Sequence, residues 1–173
     1  METTRSYSIT VPAFPATAAE LMGLWEGTLM QPQYTAALTV LALHAFSLDT
    51  AEATEMLNYI KGPVDLIEGE FGFMARKAKA HPEILRSFFE GATPENGYTP
   101  SEPLTLKVYE TAGSRTMENK GFRTLYVKSS GAFMPRPIRL VRKATGQWFF
   151  FEGSVMGDVK PAVNNEQKIS DNI

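Results

Sequence analysis

The chain has 173 residues, 43% apolar and 21% charged, with no cysteine and a formal net charge of -2. That length fits one domain able to bury a core of its own. The composition excludes a disordered chain, a disulfide scaffold and every thiolate metal site.

No charged segment followed by an apolar run opens the chain, and the longest apolar stretch, within residues 36–46, is too short to span a bilayer. The expectation is a cytoplasmic protein with no membrane contact. Residues 6–11, SYSITV, alternate in polarity and are compatible with a short strand ended by Pro12 and Pro15. Thr17 stands three residues before Glu20, the capping-box spacing, so a helix is expected over residues 18–29. Pro32 suits the first turn of a second helix, because its missing N–H has no intrahelical partner there anyway. Residues 33–47, QYTAALTVLALHAFS, are apolar nearly all round and predict a central, buried helix. Asp49 and Glu52 repeat the cap spacing and open a third helix, which Lys61-Gly62-Pro63 ends. Asp65 and Glu68 give a further cap for a helix over residues 66–80, weakened by Gly69 and Gly72. His81-Pro82 breaks it and starts a short helix, PEILRSFFE, stopped by Gly91.

Residues 91–103 read as a loop, after which the apolar period changes from about 3.6 to 2. Leu104, Leu106 and Val108 mark a first strand, FRTLYVKSS a second, PIRLVRKA a third and QWFFFE a fourth, the last two joined at Thr145-Gly146. Helices first and strands later is the α+β pattern. The expectation is one domain over residues 1–163, an N-terminal helical half packed on a C-terminal antiparallel sheet of about four strands, with residues 164–173 as a polar tail.

Charge is distributed unevenly along this chain. Residues 1–70 hold nine acids against Arg5 and Lys61, whereas residues 120–143 hold seven Lys or Arg and no acid. The basic stretch reads as a strand–loop–strand ribbon, and Tyr126, Lys128, Phe133, Arg136, Arg139 and Arg142 form its candidate interaction surface. Strand alternation puts Arg136 and Arg142 on the face of Ile138 and Leu140, and Arg139 on the face of Pro137 and Val141. A groove that tracks a phosphate backbone wants its cations on one face with aromatics between them. The split and the sequence pI of about 5.8 both make nucleic acid an improbable partner. Solvated edge charges, or pairing with the acidic helical half, explain the same residues. A protein or other anionic partner at the ribbon stays open.

The loop GATPENGYTP offers Glu95, Asn96 and Tyr98 as candidate ligand contacts. It lacks the Gly-Lys-Ser/Thr of a phosphate loop, and a connector turned by Pro94, Asn96-Gly97 and Pro100 accounts for its composition. His44 and His81 are the two histidines, and neither has an evident serine partner; His44 in its apolar helix reads as a packed residue. No metal, cofactor or catalytic residue is assigned. Two carboxylates in acid–base work need only meet in space, and no pair is singled out.

Three segments together, FFEGATPENGYTPSEPLTLKVYE, LYVKSSGAFMPRPIRLVRK and GQWFFFEG, resemble a family of small proteins of gut Firmicutes classed as a domain of unknown function. The resemblance covers most of the chain and is most specific in the GATPENGYTP and SSGA…PRP loops. It implies a bacterial, single-domain protein and carries no catalytic residue. The function expected is a non-enzymatic binding or protein-interaction module that uses the basic ribbon. The alternatives are an enzyme with a site between helices and sheet, and a weak nucleic-acid or polyanion binder.

Overall fold

A computed structural model describes residues 2–63 and 68–163. The cap expected at Asp65 for the helix that opens near Glu68, and the polar tail at 164–173, lie outside the described residues. The described residues form one antiparallel sheet with helices on its inner face, so the α+β class holds. The sheet has five strands in sequential order: β1 (Thr3–Val11), β2 (Leu104–Thr111), β3 (Phe122–Val127), β4 (Arg136–Arg142) and β5 (Trp148–Gly153). The expected count of about four omitted β1, which pairs with β2 from Val11↔Leu104 to Thr3↔Thr111. The helices are therefore an insertion in the β1–β2 connection rather than a separate N-terminal half. They are α1 (Ala18–Met22), α2 (Pro32–His44), α3 (Thr50–Lys61), α4 (Glu68–Ala80) and α5 (Pro82–Arg86).

The capping signals act where the spacing places them. The Thr17 hydroxyl accepts from the Glu20 N–H at 3.1 Å, and Asp49 Oδ1 accepts from the Glu52 N–H at 3.1 Å. The first helix is shorter than expected, and Gly27 shows why. A Cβ there would stand 2.2 Å from the Met22 carbonyl oxygen, so the chain folds back over the end of α1 as a 3₁₀ turn at Trp25–Thr28. That turn delivers the Leu29 carbonyl to the edge of β5, where it accepts the Trp148 N–H at 2.7 Å. The last helix is also shorter than PEILRSFFE: α5 stops at Arg86, and Ser87 through Glu90 lead to the sheet, where the Glu90 N–H donates to the Thr105 carbonyl at 2.9 Å.

Helix α2 runs through the centre and packs against all five strands. Its two buried threonines are hydrogen-bonded: Thr35 Oγ1 donates to the Trp148 carbonyl at 2.7 Å, and Thr39 Oγ1 to the Thr35 carbonyl at 2.8 Å. An unpaired buried hydroxyl would cost about 1–3 kcal/mol, so these bonds allow two threonines in an all-buried helix. The inner face of the sheet supplies Ile9, Val11, Leu104, Leu106, Val108, Leu125, Val127, Ile138, Leu140 and Phe150 to the same core.

The apolar run in β5 follows from cover on both faces. Trp148, Phe149 and Phe150 are all buried, although β5 is last in the sheet order. Phe149 lies against Gly62 beyond α3, where any added Cβ would meet its ring at 2.4 Å. The register shift opposite Arg139 and Leu140 leaves Phe151 as an extra residue, half-buried against Phe122 with ring centroids 5.0 Å apart.

Candidate functional site

The register places the ribbon cations and shows how differently each is used. Arg123 pairs with Leu140 across β3 and β4, on the core-facing side. Its guanidinium donates to Glu118 Oε1, and it is 8% exposed. Arg139 points to the other face and pairs with Glu152 at 2.9 Å. Arg136 is half-buried, and its Nη2 donates to the Asp158 carbonyl at 3.0 Å. Gly157 makes room for it, since a Cβ there would stand 2.9 Å from the Arg136 Cζ. Lys128 stands 4.1 Å from the centroid of the Tyr109 ring, a cation–π contact. Tyr126 lies opposite Tyr109 on β2 and Pro137 on β4, half-exposed on the outer face. Arg142 is exposed and stands against Trp148.

Pairing between the ribbon and the acidic helical residues does not occur among the described residues. The ribbon's ion pairs go to Glu118 and Glu152, both in the sheet half of the sequence. The 3₁₀ turn at Glu118–Lys120 supplies the acid for Arg123, and the neighbouring strand β5 supplies the one opposite Arg139.

The β3–β4 loop carries the most exposed large apolar group among the described residues. Phe133 is 97% exposed and Met134 62% exposed. The base of the same loop is tied down. Ser129 Oγ donates to Ser87 Oγ at 2.6 Å, the Ser130 N–H donates to the Ser87 carbonyl at 3.0 Å, and the Gly131 carbonyl accepts the Lys160 N–H at 2.8 Å. Gly131 has no space for a side chain, because a Cβ would meet the Tyr98 hydroxyl at 2.1 Å. The apolar tip thus stands on a fixed base.

The other candidate loop faces inward. Tyr98 is fully buried, adopts a φ of 56°, and donates its hydroxyl to the Lys160 carbonyl at 2.5 Å. Burial, then the nearby charges of Glu95 and Glu83, push that hydroxyl's pKa up. Asn96 makes four bonds within the loop: its Oδ1 accepts from the N–H of Thr93 and of Thr99, and its Nδ2 donates to the carbonyls of Gly91 and Thr99. Only Glu95 of the three is exposed without a bond, so the loop's chemistry is absorbed in making the turn.

A cleft of about 750 Å³ lies between α4 and the β4–β5 edge, with Phe71, Met74 and Phe151 as apolar walls and Lys77, Arg139 and Glu152 among the charged ones. Its charges are largely committed: Lys77 pairs with Asp158 at 2.7 Å and Arg139 with Glu152. Among the described residues, the two carboxyls whose pKa the fold moves, Glu110 and Asp158, both move down. Burial alone would raise Glu110, but Arg115 and the Tyr7 hydroxyl hold it as an anion; Lys77 does the same for Asp158. Both act as ion-pair partners, a role opposite to that of a proton-donating acid at neutral pH. His44 is buried against Phe14, with ring centroids 3.8 Å apart and no hydrogen-bond partner for either ring nitrogen. Burial, then the charge of Arg86, lowers its pKa to about 4, so it is a neutral packing residue.

Sequence reasoning missed Arg123, Met134 and the contact of Arg142 with Trp148. Arg123 was legible, since it alternates with Leu125 and Val127 and must share their face. No helix among the described residues is long and apolar enough to cross a membrane. No curated protein and no solved structure matches the chain. A family model does match, over residues 13–163, and the chain belongs to that family, described as a domain of unknown function (DUF6935).

Proposed function

We propose that this protein is a non-enzymatic interaction module of the bacterial cytoplasm that binds a protein partner through the tip of its β3–β4 loop. The observation that carries this reading is the 97% exposure of Phe133 beside Met134, on a loop whose base is hydrogen-bonded to Ser87 and Lys160. Holding a large apolar side chain in water forgoes about 1.5–3 kcal/mol of burial. Because the loop base is already ordered, a partner that buries the tip pays little further ordering entropy. The occupant is a different protein with a concave apolar pocket and an acidic rim. Two projecting tips cannot enclose each other, and one Phe–Met pair is far smaller than the roughly 1,200 Å² or more of a stable interface. Lys128 and Arg136, which flank the loop, and nearby Lys160 supply the positive surroundings that an acidic rim complements.

The test places a photoreactive phenylalanine at position 133 and maps the adduct. The expected product joins this chain to one different protein. The purified pair then binds with an affinity that falls at least about tenfold in Phe133→Ser and declines with salt. Adducts only between copies of this chain, or unchanged binding by Phe133→Ser, would overturn the proposal.

The alternative reading, an enzyme with a site between helices and sheet, draws on the cleft beside α4. Lys77 and Arg139, two of its charged walls, are held in ion pairs with Asp158 and Glu152, and the interaction reading is preferred for that reason.

A further inference from the structure

At the far end of β4 from the apolar tip, a second cleft of about 510 Å³ opens between the first turn of α2 and the β4–β5 hairpin. Arg123, Arg142 and Lys143 line it together with Trp148, Gln31 and Gly146, and no Asp or Glu does. The guanidiniums of Arg123 and Arg142 both stand against the single indole of Trp148, with Cζ 5.3 and 5.7 Å from its centroid. Two like charges gathered on one ring repel each other unless an anion lies between or beside them. Arg123 has one carboxylate partner, Glu118 at its Nη2, but its buried Nε has no acceptor. Among the described residues Arg142 and Lys143 pair with no carboxylate at all. The first turn of α2 adds to the same field. Gln31 is its N-cap but makes no side-chain capping bond, so the positive end of a 13-residue helix opens onto the cleft uncapped.

From this we infer that the cleft binds a phosphate group, either as free phosphate or as a small phosphomonoester. Arg142 and Lys143 are the exposed cations that would meet it first, and Arg123 is the buried cation that would fix its position. A planar guanidinium matches a tetrahedral oxyanion through paired N–H donors, and the first turn of α2 leaves one backbone donor, the Gln33 N–H, since Pro32 has none and the Tyr34 and Thr35 N–H groups bond to the Gln31 carbonyl. The hairpin turn at Gly146 borders the site, and its three cations match a single phosphate rather than an extended polyanion. Trp148 is 5% exposed, so its ring is taken up by the two arginines and offers no stacking surface to a base.

The experiment titrates the full chain with inorganic phosphate and, in parallel, with glycerol phosphate, following backbone amides and the Trp148 indole N–H by NMR. Saturable shifts are expected at Gln33, Arg142, Lys143, Gly146 and the Trp148 indole, with either probe. The double variant Arg142→Ala, Lys143→Ala changes two exposed residues, so it should melt as the parent does without phosphate and weaken binding at least about tenfold. Phe133→Ser should bind phosphate as the parent does, which separates this inference from the proposed protein contact. No saturable shift with either probe would overturn it. So would shifts centred on Lys128 or Arg139, unchanged affinity in the double variant, or tighter binding of a short DNA duplex that depends on those other cations.

Discussion

Two Gly/Pro-rich loops of similar composition behave in opposite ways in this fold. Residues 91–103 turn their aromatic residue inward: Tyr98 is fully buried, and Asn96 spends its whole amide on the turn. Residues 128–135 turn theirs outward, and Phe133 has almost its whole surface in water. The two loops also meet, since Gly131 at the base of the second packs on the Tyr98 hydroxyl of the first. One loop is therefore the footing of the other. An aromatic residue in a loop signals function only after its burial is known; the buried one here serves the fold, and the exposed one is left for a partner.

The largest effect should come from removing the footing. Tyr98→Ala is expected to cost about 3–5 kcal/mol, the range for emptying a large buried aromatic site, read from urea melts. Tyr98→Phe keeps the ring but leaves the Lys160 carbonyl without its donor, and about 1–3 kcal/mol should be lost. A loss below about 0.5 kcal/mol in Tyr98→Ala would erase the contrast between the loops.

Acid should weaken the inward side through His44. The Arg86 guanidinium that donates to the Tyr98 carbonyl at 3.2 Å also lowers the His44 pKa, after burial itself. The folded pKa of about 4 lies below the unfolded value of 6.5, so the unfolded chain binds the proton more readily. Stability is then full above pH 6.5 and declines as pH falls toward 4, by about 3 kcal/mol in total. Glu110, an anion held by Arg115 with a lowered pKa, adds a further loss at the acid end of that window and below it. The difference between parent and His44→Leu isolates the histidine, and the variant should show a flatter curve from pH 6.5 to 4. Parallel curves would show that the ring is not held neutral.

Asn96→Ala should have a smaller effect, about 1–2 kcal/mol, the cost of the return half of the Thr93 capping box and the further amide bonds on a partly exposed turn. Amide exchange should speed up at Thr93, Tyr98 and Thr99 while β4 stays protected.

Much of the architecture was readable, and the reasons are local. Thr17, Pro32 and Asp49 act on atoms within one turn of themselves, and the switch to alternation at Leu104 marks the sheet. What escaped depends on contacts distant in sequence. Residues 6–11 were readable as a strand, but their place beside β2 depends on a partner more than ninety residues away. Gly27 looks like an ordinary helix residue until Met22 is seen beneath it. Composition marked both loops as candidates, yet nothing local says which aromatic faces in. The tip itself was half-read: Phe133 was singled out, and Met134 beside it was not. Arg123 was hidden by its charge, since its neighbours' period placed it inside and only Glu118 and Trp148 make that position tolerable.

The most direct test of the comparison is the stability of Phe133→Ser, Met134→Ser measured beside Tyr98→Ala in urea at neutral pH. The double tip variant should unfold within about 0.5 kcal/mol of the parent, as expected for side chains held mostly in water. A loss above about 1.5 kcal/mol would mean that the tip belongs to the fold, and its exposure could then no longer stand as the mark of a binding surface.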